Sequence, residues 1–452
     1  MTEFDVIVIG GGTGNNVAAA AADAGLETAL VEPGPLGGTC LNRGCNPSKM
    51  LLQAANAAND VRHAGQFHID ASLDDIDYRA IVDEMDDMLS TIAADMEARY
   101  REKDHLTLFD EYTEFVDDRT IALDGEHVTA EKIVVAAGSR PLVPPIDGLS
   151  DIEYLTSQDA LYLEDRPDRL TILGGGYIAV ELGYFFESMG TDVTIIEMMD
   201  TLVPREDDAV AAAFTDIATE RHTVYTGHRV TAVEGTAPHT VHAETEAGDS
   251  IAVETDAVLV ALGRRPNTDT LNLDATTIDT DENGFIETNE YLETTADGVW
   301  AQGDIAGNAM FKHSGDYETE YTIANVVEGD RRAIDLSAMP HTIFTEPQIA
   351  GVGATEAALD DAGREYVTGR ANYADSAMGR AKKLEDGFMK VLAEPDGTIL
   401  GCHAIGYEAS TLLHEAVVAM RNEMPVDAIA DTIHAHPTLN KVVESAFRDV
   451  PV

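Results

Sequence analysis

One short supersecondary pattern occurs twice in this chain, and that repetition limits the fold more than any other feature. Residues 4–32 run "FDVIVIG", "GGTGNNVAAAAADAG" and "ETALVE", and residues 170–197 run "LTILG", "GGYIAVELGYFFESMG" and "TDVTIIE". In each copy a continuous apolar run, the mark of a strand covered on both faces, meets a glycine cluster and then a helix. Each copy closes on a second strand that ends in an acid, Glu32 or Glu197. The spacing predicts an α/β fold with two nucleotide-binding domains built on parallel strands.

Gly10, Gly12 and Asn15 occupy the Gly-x-Gly-x-x-Gly positions of the first copy, and Gly174, Gly176 and Ala179 those of the second. The first glycine permits a tight turn. The second lets the backbone approach a pyrophosphate at a helix N-terminus. Glu32 and Glu197 would accept hydrogen bonds from ribose hydroxyls. Asn15 departs from the pattern where a third glycine would let helix and strand pack closely. A carboxylate at 197 would repel a 2′-phosphate, and the next arginine is Arg205, so the second cradle favours NADH over NADPH.

The rest of the chain supplies further domains. A helical stretch (about 50–64 and 78–103) and a strand-rich stretch (105–137) follow the first cradle, then a Pro-rich passage, "GSRPLVPPIDG", that reads as a hinge. From about Leu336 strands give way to helices, an α+β signature and a separate domain. The boundaries are drawn at 1–147, 148–265, 266–335 and 336–452. Asp and Glu number 82 against 29 Lys and Arg, a net charge of -53, which argues against nucleic acid or an anionic membrane as partner. The acids are spread over patterned elements and there are eight lysines, so we expect a protein of a salt-rich cytoplasm that loses structure at low salt. The chain enters a strand directly after its first residues, and no apolar run reaches the length of a membrane span, in keeping with a cytoplasmic location.

Two of the three cysteines, Cys40 and Cys45, lie in "GGTCLNRGCNPSKM". No second Cys or His cluster supports a metal site. Pro47 suits the first turn of a helix from Ser48 to about His63, which would put Cys45 just ahead of its N-terminus, where the dipole favours a thiolate. The spacing reads as a redox-active pair with unequal roles. Cys402, between strand residues, reads as buried and structural.

These segments, with "AAGSRP" (136–141), "GGGYIAVE" (174–181), "ALGRRPNT" (261–268), "AQGDIAG" (301–307), "FTEPQIAGVG" (344–353) and "HAHPT" (434–438), resemble the flavoprotein disulfide reductases, the class I pyridine nucleotide-disulfide oxidoreductases. The resemblance is collinear over essentially the whole chain. It implies FAD in the first cradle and NADH or NADPH in the second. It also implies two Rossmann-like domains with a C-terminal α+β dimerisation domain, and an obligate homodimer. Cys45 resembles the thiol facing the flavin and Cys40 the one that exchanges with substrate. Lys49 and Glu181 resemble the ion pair beside the flavin, and His436 the acid–base histidine, with His434 structural. Gly14, Gly38, Thr39 and Lys49 extend the FAD site. Ala137, Gly138, Gly303 and Asp304 complete it, while Gly263 and Arg265 fall in a further cofactor motif.

One departure stands out. The family's glutamate five residues after the acid–base histidine is here Lys441, and Glu444, one turn on, is the candidate substitute. Arg43 and Asn46, and the "GNN" at 14–16, resemble the reductases of small disulfides such as mycothione or bis-γ-glutamylcystine, and Arg43 would meet a substrate carboxylate. The reading is therefore an NAD(P)H-dependent reductase of a low-molecular-weight disulfide. Dihydrolipoamide dehydrogenase is the alternative, and a flavin-binding subunit without catalysis, suggested by Lys441, is a third.

Overall fold

The apolar run of the first repeat forms β1 (Thr2–Ile9), in which Val6, Ile7 and Val8 are completely shielded from solvent. Coordinates come from a computed structural model in which residues 2–123 and 125–452 are described. Side chains alternate across a strand. Ile7 and Ile9 therefore enter one core with Ile133 and Val135, whereas Val6 and Val8 enter another with Val17, Ala18 and Ala21 of α1 (Gly14–Asp23). Covering both faces in this way is what a continuous apolar strand requires.

By backbone contacts the chain forms two compact units: Met1–Met50, Val82–Leu142 and Gly263–Leu336 in the first, and Leu51–Ile81, Val143–Leu262 and Ser337–Val452 in the second. In the first, β1 lies between β2 (Thr28–Val31) and β6 (Glu126–Val135), parallel to both. With β3 (Leu106–Phe109), β4 (Glu114–Asp117) and β5 (Thr120–Leu123) the order is β3-β2-β1-β6-β5-β4, and Val299–Ala301 pairs with β6. β4 and β5 are antiparallel additions to a parallel centre. Ser139–Pro141, in the passage read as a hinge, pairs antiparallel with Arg264–Pro266.

In the second unit four parallel strands follow the order Thr223–Tyr225, Asp192–Ile196, Arg169–Leu173 and Ala257–Val260. The residues after 336 form a five-stranded antiparallel sheet whose core holds Cys402 with no exposure, as expected of a structural residue. Burial pushes that thiol up to about 12. Among the described residues no helix is long and apolar enough to cross a membrane.

Around the cysteines the structure differs from expectation. Gly38–Arg43 is a short helix (α2), and the following helix, α3, already begins at Cys45 and runs to His63. The Asn42 side chain explains the extra turn, because its Nδ2 donates to the carbonyls of Pro35, Leu36 and Gly38 at 3.0–3.2 Å and ties α2 to the loop before it.

Candidate active site

In the first cradle Gly10 has φ +111°, and a Cβ there would fall 2.2 Å from the Ala136 carbonyl oxygen. The turn therefore demands glycine. Gly14 explains the Asn15 departure. A Cβ on Gly14 would stand 2.9 Å from both Val8 Cγ1 and Ala136 Cβ, so Gly14 performs the close helix–strand approach. Asn15 is free to be larger, and its Nδ2 lies 3.4 Å from Met96 Sδ.

Glu32 accepts from the amides of Gly11 at 2.6 Å and Gly34 at 2.9 Å. Burial pushes its carboxyl up, opposed by those amides and by the charge of Arg43. The Arg43 guanidinium lies against Gly34 beside Glu32. That position supports the cradle's acid rather than the substrate role anticipated for Arg43.

The second cradle repeats this wiring. Gly174 has φ +101° and leaves 2.6 Å between a built Cβ and the Ala261 oxygen. Glu197 accepts from the amides of Gly175 at 2.6 Å and Met199 at 2.8 Å. Gly176 caps the helix Tyr177–Ser188, and Ala179 is fully buried. The tyrosine hydroxyl donates to Glu206, whose other oxygen is 2.9 Å from His341 Nε2.

Other site residues cluster beside the first cradle. Asp304 Oδ2 accepts from Ser139 Oγ at 2.5 Å, and Ser139 in turn accepts from Arg264 Nε at 2.8 Å. Gly303, with φ +73°, donates its amide to the buried Glu318 at 2.5 Å. The Ala137 carbonyl accepts from Asn267 at 2.7 Å, and Gly138 and Gly263, both at positive φ, face open space. Arg265 is engaged with Asp269 at 2.8 Å. Gln302 donates to Thr13 at 3.1 Å, and its buried Oε1 has no protein partner. Two cradles that exclude a Cβ, an acid at the end of each second strand and an unsatisfied buried acceptor all fit dinucleotides.

Cys40 lies in α2 and Cys45 opens α3. A hydrogen bond with Cys45 is the main influence holding the Cys40 thiol far above its ordinary range. Burial and the Cys45 charge add to it, Lys312 opposes it, and Asp316 reinforces it. Cys40 Sγ is also 3.8 Å from Asn46 Oδ1. Thr39 sits in α2 beside Gly38, whose Cβ would fall 2.6 Å from Gly12 Cα. Lys49 Nζ is 3.4 Å from Ser48 Oγ on α3.

In the second unit Glu181 is buried and accepts from the Phe344 amide at 2.9 Å. His436 is exposed. Its neighbour His434 has a side chain only 3% exposed, with Nε2 2.8 Å from Glu415 and Nδ1 3.7 Å from Glu444. Glu444 also pairs with Lys441 and with Arg448 at 2.8 Å, and the Lys441 hydrogen bond, chief among these, holds its carboxyl low. Glu444 thus faces His434, not His436 as anticipated. Asn42 was missed by the motifs, although the "NR" two residues after Cys40 is a visible signal.

Known proteins agree with this geometry. Residues 4–327 match the family model described as pyridine nucleotide-disulphide oxidoreductase, and residues 339–447 match that family's dimerisation domain. The chain is 36% identical to dihydrolipoyl dehydrogenase 2 of Haloarcula marismortui, with 98% of this chain and 96% of that one covered. It is 30% identical to a mercuric reductase of Staphylococcus aureus, covering 97% of this chain and 80% of the relative. An HOCl-induced flavoprotein disulfide reductase, RclA of Escherichia coli, superposes with a TM-score of 0.86 at 25% identity, over 98% of this chain and 99% of that one. From the doubled cradle, the sulfur pair and these matches, the chain belongs to the pyridine nucleotide-disulphide oxidoreductase family, enzymes that use FAD and NAD(P)H.

Proposed function

We propose that the chain oxidises a dihydrolipoyl-type dithiol with NAD⁺, the activity expected second from sequence. The observation that carries the reading is the Cys40–Cys45 pair beside the first cradle, each thiol within hydrogen-bonding reach of the other. Three further points support it. Several relatives are dihydrolipoyl dehydrogenases at 33–36% identity over nearly the whole chain. Glu197 disfavours a 2′-phosphate. Arg43, the feature that suggested an acidic disulfide substrate, lies at Glu32.

In this reading residues 1–147 and 266–335 hold FAD, 148–265 hold NAD(H), and 336–452 form the homodimer contact. FAD, when bound, supplies the two-electron chemistry that links thiols to a nicotinamide. The chain's own residues handle the sulfur exchange. A substrate thiolate attacks Cys40 of the oxidised pair, forming a mixed disulfide and releasing the Cys45 thiolate. The second substrate thiolate then attacks the substrate sulfur of that bond and displaces Cys40. Substrate loses two electrons and two protons, and the cysteine pair gains the electrons. His436 accepts a substrate proton.

A second reading, reduction of a small disulfide such as bis-γ-glutamylcystine by NAD(P)H, is favoured by the polar Asn46 beside Cys40. The purified enzyme in molar KCl should oxidise dihydrolipoamide with NAD⁺ faster than it reduces bis-γ-glutamylcystine or oxidised glutathione with either nicotinamide. The opposite ranking replaces the first reading with the second. Cys45→Ser should abolish both activities while the protein stays yellow, and turnover in that variant would overturn both.

A further inference from the structure

His436 is exposed in the loop of residues 431–439, which joins helix Val426–Ala430 to helix Asn440–Arg448. Five positions on stands Lys441, whose ammonium has only donors to offer and is turned to Glu444. The loop is closed from another element. Glu415, in the first turn of helix His414–Arg421, presents one carboxylate oxygen to each flank of it. Oε2 is 2.8 Å from Nε2 of His434, two residues before His436. Oε1 accepts from Nδ2 of Asn440, four residues after His436, at 2.6 Å. The His434 side chain is 3% exposed, and its Nδ1 lies 2.9 Å from the Thr432 carbonyl oxygen. Carbonyl and carboxylate oxygens only accept, so both contacts together use the ring with a proton on each nitrogen. Inside the loop Thr438 Oγ1 donates to the Ala435 carbonyl at 2.8 Å, and Arg448 donates to the Ala430 carbonyl at 2.8 Å where the loop leaves its helix.

We propose that Glu415 is the positioning residue for His436: with His434 on one oxygen and Asn440 on the other, it fastens both flanks of the loop and takes over the orienting task of the glutamate that Lys441 replaces. Glu415 acts through the loop backbone and not on the reacting atoms. The other charged groups around the loop are His414 on the helix of Glu415, and Lys441, Glu444 and Arg448 on the following helix, with Glu444 3.7 Å from His434 Nδ1. A group that takes a proton must stand within hydrogen-bonding reach of it, so the fixity of the loop bears directly on rate. The inference rests on the reading of His436 as the acceptor of a substrate proton.

The test uses the Glu415→Ala, Glu415→Gln and Asn440→Ala holoenzymes in molar KCl. Deuterium uptake, read by mass spectrometry, should quicken about tenfold or more in peptides covering 432–440 of Glu415→Ala and keep the parent rate in strand Phe388–Ala393. Bleaching of the flavin by NADH, which does not involve His436, should also keep its parent rate. Oxidation of dihydrolipoamide by NAD⁺ should fall about tenfold or more in kcat with KM unchanged. Glu415→Gln keeps an oxygen for Asn440, and Asn440→Ala keeps the tie to His434, so each should lose less than Glu415→Ala. Parent-like uptake in Glu415→Ala overturns the proposal. Faster uptake with a parent-like kcat overturns it too, since the tie would then be structural only, as does an equal fall in flavin bleaching and in turnover. Full turnover in His436→Gln would instead strike the reading on which the inference rests. A parent enzyme that reduces bis-γ-glutamylcystine and leaves dihydrolipoamide untouched counts against the proposed function, and the kcat comparison is then read on that disulfide.

Discussion

Lys390 Nζ lies 2.8 Å from Asp207 Oδ1, with side-chain exposures of 7% and 0%. The lysine also pairs with Glu356, so one ammonium joins the cap of helix Asp208–Arg221 to strand Phe388–Ala393 and helix Glu356–Asp361. Burial by itself would push the Asp207 carboxyl up. The Lys390 hydrogen bond and the charges of His403 and Lys390 outweigh it and hold the group below its ordinary 3.8. A carboxyl depressed by folding stabilises at pH above its unfolded value, and this contribution disappears as pH falls through the folded one. Lys390→Met leaves two carboxylates without their cation and should cost about 3–5 kcal/mol, read by chemical denaturation at neutral pH in molar KCl. The gap between parent and variant should narrow below about pH 4, where Asp207 starts to take up a proton in the unfolded chain.

The two cradles allow a paired experiment. Gly10→Ala puts a methyl group 2.2 Å from the Ala136 oxygen and forces an L-residue to φ +111°. The purified variant should be colourless or lose flavin on gel filtration. Gly174→Ala places the same strain at the second cradle, 2.6 Å from the Ala261 oxygen. That variant should stay yellow and bind nicotinamide nucleotide roughly tenfold or more weakly, the effect of ~1–2 kcal/mol of backbone strain. Equal flavin content in both variants would contradict the assignment of the cradles.

Glu444 is held by Lys441, Arg448 and His434, so its removal should loosen the end of the chain rather than retune an acid–base group. Glu444→Gln is expected to lower the thermal midpoint by about 2–4 °C. The acid limb of the pH–rate profile should stay where it is in the parent. A displaced limb with an unchanged midpoint would return Glu444 to the role of histidine partner.

Net charge sets the last expectation. At -53 the folded chain repels itself, and the Debye length grows from about 3 Å at 1 M salt to about 30 Å at 0.01 M. Far-UV circular dichroism should decay as KCl is diluted across that range, and bound FAD should shift the loss to lower salt. Full structure at the low end would remove the salt-rich cytoplasm from the reading.

Much of this molecule can be read from its sequence, for identifiable reasons. Gly10 and Gly174 are legible because a turn at positive φ with a carbonyl overhead admits little but glycine. Glu32 and Glu197 are legible because each closes the second strand at a fixed distance from its turn. The sulfur pair is local, five residues across. What stayed hidden depends on partners far away in the chain. Lys390 and Asp207 are 183 residues apart, and spacing alone gives no reason to join them. Glu444 could be placed on the correct helix, but whether it faced His434 or His436 depended on how that helix meets the preceding turn. Arg43 was read as reaching outward, whereas the loop at Gly34 folds back beneath it. Gly14 belongs to the FAD site by resemblance, but its role in close helix–strand packing depends on Val8 and on Ala136, which is more than a hundred residues away in sequence.

The acids that end the second strands have one more consequence. Each carboxylate already gathers two main-chain N–H groups, one from the glycine turn and one from the segment following the strand. The rim of either nucleotide cup is thus shaped by the polypeptide itself, ahead of any guest. An arriving sugar meets a receptor whose ordering cost was met during folding, and it competes for the oxygen lone pairs that remain.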